Sequence, residues 1–546
     1  MSDVQFNIAL THEALSAAIP DREAIVWRDR RLTYADLTDR SRRLASYLHG
    51  RGLGLRRERS RLAGHESGQD HVALYLYNGN EYVEGMLGAF KARLAPLNVN
   101  YRYVEEELRY LFTNAGARAV IYHAAFAPTL AAVRDSLPEL EVLLQVEDGS
   151  GNPLLPGAVD YEEALASSAP ELPSVGHSPD DLYILYTGGT TGMPKGVLWR
   201  QHDIFMSAMG GRAPGSWDPA RSYDQVVERA VAGTGDGMVV IPPFMHGAAQ
   251  WASFLIMSNG GRILIPDENR RMDPADVLRT VERERAAIIT VVGDAVVRPL
   301  LAELERGCYD LSSLAVVGNG SAPLTPLIKE RLLDLLPNIF VSDSVGSSET
   351  GAQGNHLSAK GSVSTGTFNA GPGAVVVAAD LSTVLEPGHE GLGWLAQSGW
   401  MPLGYLGDAD KTARTFPQIG GVRYAVPGDR ARLLADGAIE LLGRDSATIN
   451  TGGEKVFAEE VESAIAGHPA VQDVTVCGRP SERWGSEVVA VVALSAPATR
   501  QELETHAAQH IARYKLPKAW VFVDKVQRSP SGKADYRWAK EVAAGP

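Results

Sequence analysis

Short apolar runs alternate along most of the chain with longer stretches whose apolar residues recur at helical spacing. The short runs are rich in Val, Ile, Leu and Tyr, which is typical of β-strands, and the longer stretches indicate amphipathic helices. This alternation favours α/β layering, in which helices cover sheets of buried strands. The clearest predicted strands are His71–Tyr77, Ala119–Tyr122, Leu182–Tyr186, Met238–Pro242, Arg262–Pro266, Ala287–Val292 and Leu314–Val317. Predicted helices between them include Glu81–Lys91, Pro274–Arg285 and Pro326–Leu335.

The C-terminal part of the chain has the pattern of a small unit with its own core. Its predicted elements are a helix at Glu454–Ala466, strands at Ala470–Cys477 and Glu487–Leu494, a helix at Arg500–Arg513 and a strand at Ala519–Val523. These elements suffice for a small α+β domain. We therefore predict an α/β protein with a large N-terminal region of β-sheets flanked by helices, residues 1–443, and a C-terminal α+β lid, residues 444–546.

Composition and charge exclude several classes of protein. The 546 residues include 52 Lys and Arg against 66 Asp and Glu, a formal net charge of −14 at pH 7, which argues against general binding of nucleic acid. The two cysteines, Cys308 and Cys477, are too few for a disulfide framework or a cysteine-based zinc site. The first twenty residues lack the pattern of a signal peptide, and no apolar run is long enough for a membrane span. We expect a soluble, cytoplasmic protein.

The segment Tyr186–Gly196 has the composition of a phosphate-binding loop. Glycines let backbone N–H groups approach an anion, threonine hydroxyls add donors, and Lys195 adds a fixed positive charge. It is not a Walker A loop, because Pro194 precedes the lysine and Gly196 follows it. The predicted nucleotide-binding residues here are Thr187, Gly188, Gly189, Thr190, Thr191, Gly192 and Lys195.

This loop resembles that of the adenylate-forming superfamily, which contains acyl-CoA synthetases, luciferases and peptide-synthetase adenylation domains. The family pattern has a serine where this chain has Gly188. The resemblance extends through nearly the whole chain. Three segments are similar in sequence to actinobacterial ligases that attach CoA to steroid or other polycyclic acids: Asn98–Leu111, Thr187–Arg200 and Ser529–Lys540.

Two small-residue segments border the nucleotide site in this resemblance. From the residues alone, Ser342–Gly351 is a turn with one acid, either a polar loop or a surface for a flat ligand, and Gly318–Pro323 is either a structural turn or a near miss for a dinucleotide fingerprint. The resemblance implies that Glu349 binds Mg²⁺, together with Thr190. Val345 stands where the family has an aromatic residue on adenine, so stacking is lost. The implied nucleotide-binding residues are Ser321, Ala322, Pro323, Asp343, Ser344, Val345, Gly346 and Ser348.

Further positions are surface or core residues by themselves and gain a role only from the resemblance. It implies that Asp429 and Arg444 hold the ribose, since ionised carboxylates accept two hydrogen bonds at once. His246 would lie beside the acyl carboxylate and the thiol channel. The implied acyl pocket consists of His246, Gln250, Trp251, Val345 and Gly346.

The resemblance implies that the C-terminal unit contributes to both steps of the family reaction, which are formation of an acyl-adenylate and transfer of the acyl group to CoA. Thr451–Phe457 is either a helix-start turn or, by resemblance, the CoA channel, with Gly452, Gly453, Glu454 and Lys455 as its CoA-binding residues. Lys533 matches the mobile family lysine that stabilises charge at the α-phosphate. Ser446 replaces the usual hinge residue, Asp or Lys. The implied catalytic residues are Lys533, Glu349, His246 and Lys195.

The function that the resemblance implies is an AMP-forming acyl-CoA ligase for a bulky steroid- or terpenoid-like acid. ATP, Mg²⁺ and coenzyme A are the expected cofactors, with an acyl-adenylate intermediate and a role in fatty acid or terpenoid metabolism. A homodimer is compatible with this interpretation. Two alternatives stay open: an enzyme that only transfers a preformed acyl-adenylate to CoA, and a loader of a carrier-protein thiol.

Overall fold

Two large sheets and their helices make up most of the chain. The computed structural model describes residues 4–187, 194–444, 447–451, 454–481, 485–511, 513–528 and 532–545. The strands up to residue 444 are β1 (Glu23–Trp27), β2 (Arg30–Thr33), β3 (His71–Tyr75), β4 (Ala95–Asn98), β5 (Ala117–His123), β6 (Val142–Val146), β7 (Val159–Asp160), β8 (Leu182–Thr187), β9 (Lys195–Arg200), β10 (Gly237–Val240), β11 (Arg262–Ile265), β12 (Ile288–Val291), β13 (Val316–Gly320), β14 (Phe340–Ser347), β15 (Gly351–Ser358), β16 (Thr367–Ala370), β17 (Ala374–Ala378), β18 (Gly393–Gln397), β19 (Gly404–Tyr405), β20 (Gln418–Ile419), β21 (Val422–Arg423), β22 (Asp429–Leu433) and β23 (Ile439–Arg444).

Helices fill the connections between these strands. Local signals set several of them: Asp273 caps α10 by accepting the N–H of Asp276, and Pro274 follows at the first helical position. The helices of this region are α1 (Ile8–Ala18), α2 (Tyr34–Gly50), α3 (Asn80–Lys91), α4 (Glu105–Ala115), α5 (Ala127–Arg134), α6 (Tyr161–Ala166), α7 (Gln201–Ala208), α8 (Tyr223–Ala232), α9 (Gly247–Ser258), α10 (Pro274–Glu284), α11 (Gly293–Leu304), α12 (Pro326–Leu335) and α13 (Ala409–Thr415).

The topology joins parallel cores to antiparallel edges. One sheet has the order β19-β9-β8-β4-β3-β5-β6-β7, and its strands from β8 to β7 are parallel. The other has the order β17-β18-β22-β23-β16-β15-β14-β13-β12-β10-β11-β1-β2, with a parallel stretch from β14 to β1. Ligand sites in such sheets lie at the carboxyl ends of the parallel strands, so the ends of β8, β10, β13 and β14 are the places to examine.

The C-terminal unit folds around separate apolar clusters. Its elements are β24 (Thr448–Thr451), β25 (Glu454–Phe457), α14 (Ala458–Ala466), β26 (Val471–Ser481), β27 (Gly485–Leu494), α15 (Arg500–Ala507), β28 (Ala519–Phe522) and α16 (Tyr536–Ala544). The residues of both clusters lie between Ala447 and Ala543. The α/β class with a small α+β C-terminal unit is therefore confirmed, while the boundary at residue 443 stays a prediction. Among the described residues, no helix combines the length and apolar character needed to cross a bilayer.

Four sequence predictions of local structure were wrong. Gly318–Gly320 is not part of a turn, because these residues belong to β13, which pairs with β12 and β14. Glu454–Phe457 is a strand and not the start of a helix, because it pairs antiparallel with Thr448–Thr451. The helix that starts at Arg500 ends at Ala507 instead of Arg513, and a turn there leads to Leu516, which packs into the core. Ser342–Ser347 is not a turn, because β14 continues through it and pairs with both β13 and β15.

Two buried histidines make the fold sensitive to acid. The N–H of Tyr77 donates to Nδ1 of His123 at 3.0 Å, and the N–H of Phe6 donates to Nδ1 of His202 at 3.0 Å. Burial is the main cause that lowers the pKa of each imidazole from 6.5 to about 4. Protonation would therefore turn an acceptor into a donor that faces another donor.

We expect the free energy of unfolding to fall as the pH drops from 6.5 towards 4, because the unfolded chain binds more protons than the native one in this window. Each histidine should account for about 2 kcal/mol at pH 5. In His123→Asn the amide oxygen can still accept the Tyr77 N–H but does not titrate. Its urea midpoint should therefore drop less between pH 6.5 and 5 than that of the wild type. An unchanged drop would contradict this origin, and His49→Asn, at an exposed position, is the control.

Candidate active site

The described ends of the predicted phosphate loop form an antiparallel hairpin. β8 pairs with β9, with Thr187 opposite Lys195 and Tyr186 opposite Gly196. A Cβ on Gly196 would lie 2.8 Å from the ring of Tyr186, so this position requires glycine. Asn98 fixes the hairpin, since its side chain accepts the N–H of Tyr186 at 2.7 Å and donates to the carbonyl of Tyr186 at 2.8 Å. The predicted residues Gly188, Gly189, Thr190, Thr191 and Gly192 lie outside the described residues.

Lys195 stands at the start of β9 and is paired with a carboxylate. Its Nζ lies 2.6 Å from Oδ2 of Asp408. Oδ1 of Asp408 accepts the N–H of Lys411 at 2.9 Å and so caps α13. The hydrogen bond from Lys195, followed by that from the backbone of Lys411, lowers the pKa of Asp408. Both side chains of the pair are about one-third exposed, at 34% and 32%, so an anionic ligand can reach them.

Glu349 lies in the turn between β14 and β15, close to the same hairpin. The hydroxyl of Tyr405 donates to Oε1 of Glu349 at 2.8 Å, and the indole N–H of Trp199 donates to the carbonyl of Ser348 at 2.9 Å. Trp199 belongs to β9 and Tyr405 to β19, which pairs with β9. One strand therefore brings the predicted lysine and the predicted metal-binding acid to a single place.

Gly351 allows the close approach that this turn needs. It has φ +69°, and a Cβ there would lie 1.9 Å from Oγ of Ser207 and 3.3 Å from the ring of Trp199. A side chain would push the turn off α7 and β9. The position of Glu349 thus depends on a glycine two residues away.

The ends of β13 and β14 form the second part of the site, where the base was predicted. Oδ1 of Asn319 accepts the N–H of Gly293 at 2.8 Å, and its amide donates to the carbonyl of Ala322 and to Oδ1 of Asp343. Oδ2 of Asp343 lies 2.5 Å from Nζ of Lys329, which is fully buried. The carboxylate of Asp343 therefore faces protein partners.

The turn after β13 carries the other predicted base contacts. Ser321 has φ +67°, and the N–H of Ala322 donates to the carbonyl of Gly320 at 2.8 Å. A Cβ on Gly293 would lie 2.6 Å from the carbonyl oxygen of Pro323, so α11 begins directly against this turn. On β14, Ser344 and Gly346 are exposed, whereas Val345 is half-buried against a small apolar cluster between β17 and β23.

Two buried asparagines position the segment before α9. Asn78 donates to the carbonyl of Pro242 and accepts the N–H of Phe244, and Asn98 donates to the carbonyl of Met245 at 2.7 Å. His246 follows as the residue that precedes α9. Asn98 also holds Tyr186 in the hairpin of β8 and β9, which we call the phosphate hairpin after the loop predicted between these strands. The same side chain therefore positions this hairpin and the segment that carries His246.

The predicted acyl residues on α9 differ in exposure. Gln250 is 2% exposed, and its amide bonds to the hydroxyls of Tyr183 and Tyr82 and the carbonyl of Phe244. Trp251 is half-buried beside Gly247. Of the two, Trp251 has more surface to offer a ligand.

Asp429 and Arg444 are placed opposite each other by the backbone. They are paired residues in the antiparallel strands β22 and β23. This register places the two residues side by side, as binding to one ribose would require. The ribose contact itself stays a prediction.

Lys533 is exposed and follows Gly532, which lies against the large region. Arg528 and Ala534, which flank these two residues, form an isolated antiparallel bridge, and Arg528 donates through Nε to Asp473 at 2.8 Å. A Cβ on Gly532, which has φ +79°, would lie 3.2 Å from the side chain of Val292. Gly532 therefore lies at the start of α11, next to the turn after β13.

The predicted CoA channel is only partly described. Gly452 and Gly453 lie outside the described residues, and Glu454 and Lys455 belong by their backbone to β25. A Cβ on Gly443 would lie 2.3 Å from Oε2 of Glu459, so β23 passes directly against α14.

Sequence reasoning missed Asn98, Tyr405, Asp408 and Lys411. Asp408 three residues before Lys411 is a signal for a helix start, and alone it indicates only a cap. Their place beside Lys195 arises from the pairing of β19 with β9, across some two hundred residues of sequence, which no local pattern reveals.

Comparison with known proteins shows the family of the chain. Residues 13–406 match the family model described as AMP-binding enzyme, and residues 460–533 match the AMP-binding enzyme C-terminal domain. The chain is 61% identical over 547 residues to the medium-chain acyl-CoA ligase Mig of Mycobacterium avium, with all of both chains covered. It is 42% identical to the 3-oxocholest-4-en-26-oate–CoA ligase of Rhodococcus rhodochrous, with 98% of this chain and 95% of that protein covered.

Solved structures share the fold at low sequence identity. The anthranilate CoA ligase AuaEII in complex with anthranoyl-AMP superposes with a TM-score of 0.82 at 20% identity, covering 99% of this chain and 97% of that one. ATP-bound MatB from Rhodopseudomonas palustris superposes with a TM-score of 0.80 at 23% identity, covering 99% of each chain. With family models over both units and a relative of full length at 61% identity, the chain belongs to the AMP-binding enzyme family, as the resemblance of its motifs had indicated.

Proposed function

We propose that this protein is an AMP-forming acyl-CoA ligase. The observation that carries the proposal is the full-length similarity to a protein named as a medium-chain acyl-CoA ligase. The grouping of Lys195 with Glu349 and Tyr405 at one end of the β8–β9 hairpin supports it, because a polyphosphate with its metal ion needs a positive charge and a metal-binding carboxylate in one place.

The proposed chemistry has two steps. A carboxylate oxygen of the acid forms a bond to the α-phosphorus of ATP, the bond from that phosphorus to the bridging oxygen breaks, and pyrophosphate leaves with the electron pair. The sulfur of CoA then attacks the acyl carbon, AMP leaves, and the thiol proton passes to solvent. Both steps need positioning and charge stabilisation from the protein and no covalent intermediate on a side chain.

Each charged residue has a task in this scheme. Lys195 exchanges its partner Asp408 for phosphate oxygens, a change made easier by the exposure of the pair. Lys533 reaches the α-phosphate during the first step. Asp429 accepts hydrogen bonds from the ribose, with Arg444 as its neighbour on the next strand.

The donor set fits Mg²⁺. One carboxylate, Glu349, stands beside the phosphate hairpin, and Mg²⁺ in such sites is usually held by one or two carboxylates together with substrate phosphates and water. Tyr405 bonds Oε1 of Glu349 and so fixes the direction of that carboxylate. When bound, the ion would neutralise charge on the polyphosphate.

For the acid, we propose a medium-chain fatty acid as the main substrate, because the relative at 61% identity is named for that class. The bulky steroid acid expected from the sequence is the second candidate. It is favoured by a relative at 42% identity that is named for a 3-oxocholestenoate. Trp251 and Val345, both half-buried, are proposed pocket residues whose surface the acid can contact.

With ATP, Mg²⁺ and CoA, we expect the purified protein to form acyl-CoA and AMP in equal amounts. Octanoate and decanoate should give higher kcat/KM than palmitate or 3-oxocholest-4-en-26-oate, measured by chromatography of the thioesters. Thioester that appears only from preformed acyl-adenylate would replace this proposal by the transfer-only alternative. Acylation of a phosphopantetheinyl carrier protein in place of free CoA would favour the loader.

Lys533→Ala should lower the rate of adenylation by about a hundredfold, since it removes a charge that acts on the α-phosphate. Thioester formation from supplied acyl-adenylate should stay within a factor of about three, because that step does not use the ammonium group. The two rates are measured separately, by pyrophosphate exchange and by acyl-CoA formation. Lys540→Ala, an exposed lysine on α16 of the same unit, is the matched control. Equal losses in both steps would overturn the assigned task.

A further inference from the structure

Lys411 is a half-buried cation without a carboxylate partner in the described part of the chain. None of the ion pairs found there includes its Nζ, and the group lies 4.4 Å from the centre of the Tyr405 ring instead. A ring face holds an ammonium group without supplying a counter-charge. The carboxylates of Glu349 and Asp408 attract this ammonium group but form no ion pair with it among the described residues. The other lysine at this place, Lys195, has a partner 2.6 Å away.

The position of Lys411 is fixed from two sides. Its backbone N–H donates to Oδ1 of Asp408, whose other oxygen pairs with Lys195, so one carboxylate connects the two lysines. Its side chain lies over Tyr405, which is 3% exposed and bonded to Glu349. The ammonium group is therefore held near the phosphate hairpin and near the proposed metal-binding acid.

The local charge also favours an anion. Burial is the main cause that lowers the pKa of Lys411, and the positive charge of Lys195 is the next. Asp408 pairs with the ammonium group of Lys195, and the attraction that Glu349 and Asp408 exert on Lys411 ranks below both of these causes. An anion with several charges that lies between the two ammonium groups relieves the repulsion and offsets the cost of burial.

We propose that Lys411 is a second polyphosphate-binding cation, which acts beside Lys195 on the β- and γ-phosphates that leave as pyrophosphate. The inference rests on the proposed function, because it assigns a further residue to the same nucleotide site. Tyr405 acts through Lys411 and Glu349 and is a positioning residue: its ring orients the ammonium group, and its hydroxyl orients the carboxylate.

Binding of Mg·ATP and Mg·pyrophosphate, measured by calorimetry, tests the inference with Lys411→Met, which keeps much of the side-chain volume and removes the charge. We expect both dissociation constants to rise by about tenfold, as for the loss of one charge-assisted contact. Lys411→Arg, which keeps the charge and the ring contact, should restore most of the affinity. Lys360→Met is the control, because that lysine pairs with Asp334 elsewhere on the surface.

Kinetics separate binding from folding. In Lys411→Met, KM for ATP should rise more than kcat falls, while acyl-CoA formation from supplied acyl-adenylate stays at the wild-type rate. A variant that binds pyrophosphate as tightly as the wild type would overturn the inference and leave Lys411 a purely structural cation. So would a variant with lower affinity whose transfer step and thermal midpoint fall equally, since that result would report a damaged fold.

The same measurements distinguish failure of the proposed ligase function from failure of the inference about Lys411. If the wild type binds ATP and Lys411→Met binds it weakly, yet thioester forms only from supplied adenylate, the ligase proposal falls and the phosphate role of Lys411 stands. A wild type that binds neither ATP nor pyrophosphate overturns both.

Discussion

The backbone pairing of β9 with β19 is the interaction on which the arrangement of the site depends. The N–H groups of Leu403 and Leu406 donate to the carbonyls of Leu198 and Gly196, both at 2.8 Å. Through this pairing the segment that carries Tyr405 and Asp408 becomes the edge of the sheet whose next strand carries Lys195. The buried indole of Trp199, further along β9, then reaches the turn that carries Glu349. The strand β9 thus brings together charged residues from three distant parts of the sequence, Lys195, Glu349 and Asp408.

The ion pairs of the site fall into two physical kinds. Lys329 and Asp343 form a pair that is almost fully removed from water, and separating it would cost several kcal/mol because either charge would be left buried and alone. Lys195 and Asp408 are partly exposed, so water and ligand oxygens can replace either partner at little cost. The first kind suits a fixed wall of the proposed nucleotide site, and the second suits a group that must change partners during the proposed reaction.

The sequence predicted the fold class and several residues that the structure brings together in the candidate site. Lys195 and Glu349 lie in segments whose small residues and charges are unusual by themselves. Lys411 and Asp408 carry no such signal, because a lysine and an acid at a helix start are ordinary surface residues until a remote strand pairs beside them. The strand through Ser342–Ser347 was also missed, since its polar residues are paired on both sides and need no apolar pattern. The shape of the proposed acyl pocket depends on packing along α9 and β14, which periodicity does not describe.

Gly351 has a consequence for how this protein can change over generations. Its α-carbon passes so close to the hydroxyl of Ser207 that neither position can gain bulk unless the other segment moves. Because Glu349 lies two residues before it, a larger side chain at residue 207 on α7 would alter the proposed nucleotide site through the position of this turn. Substitutions at residues 207 and 351 should therefore be correlated. Ser207 must stay small so that the turn between β14 and β15 keeps Glu349 in its place.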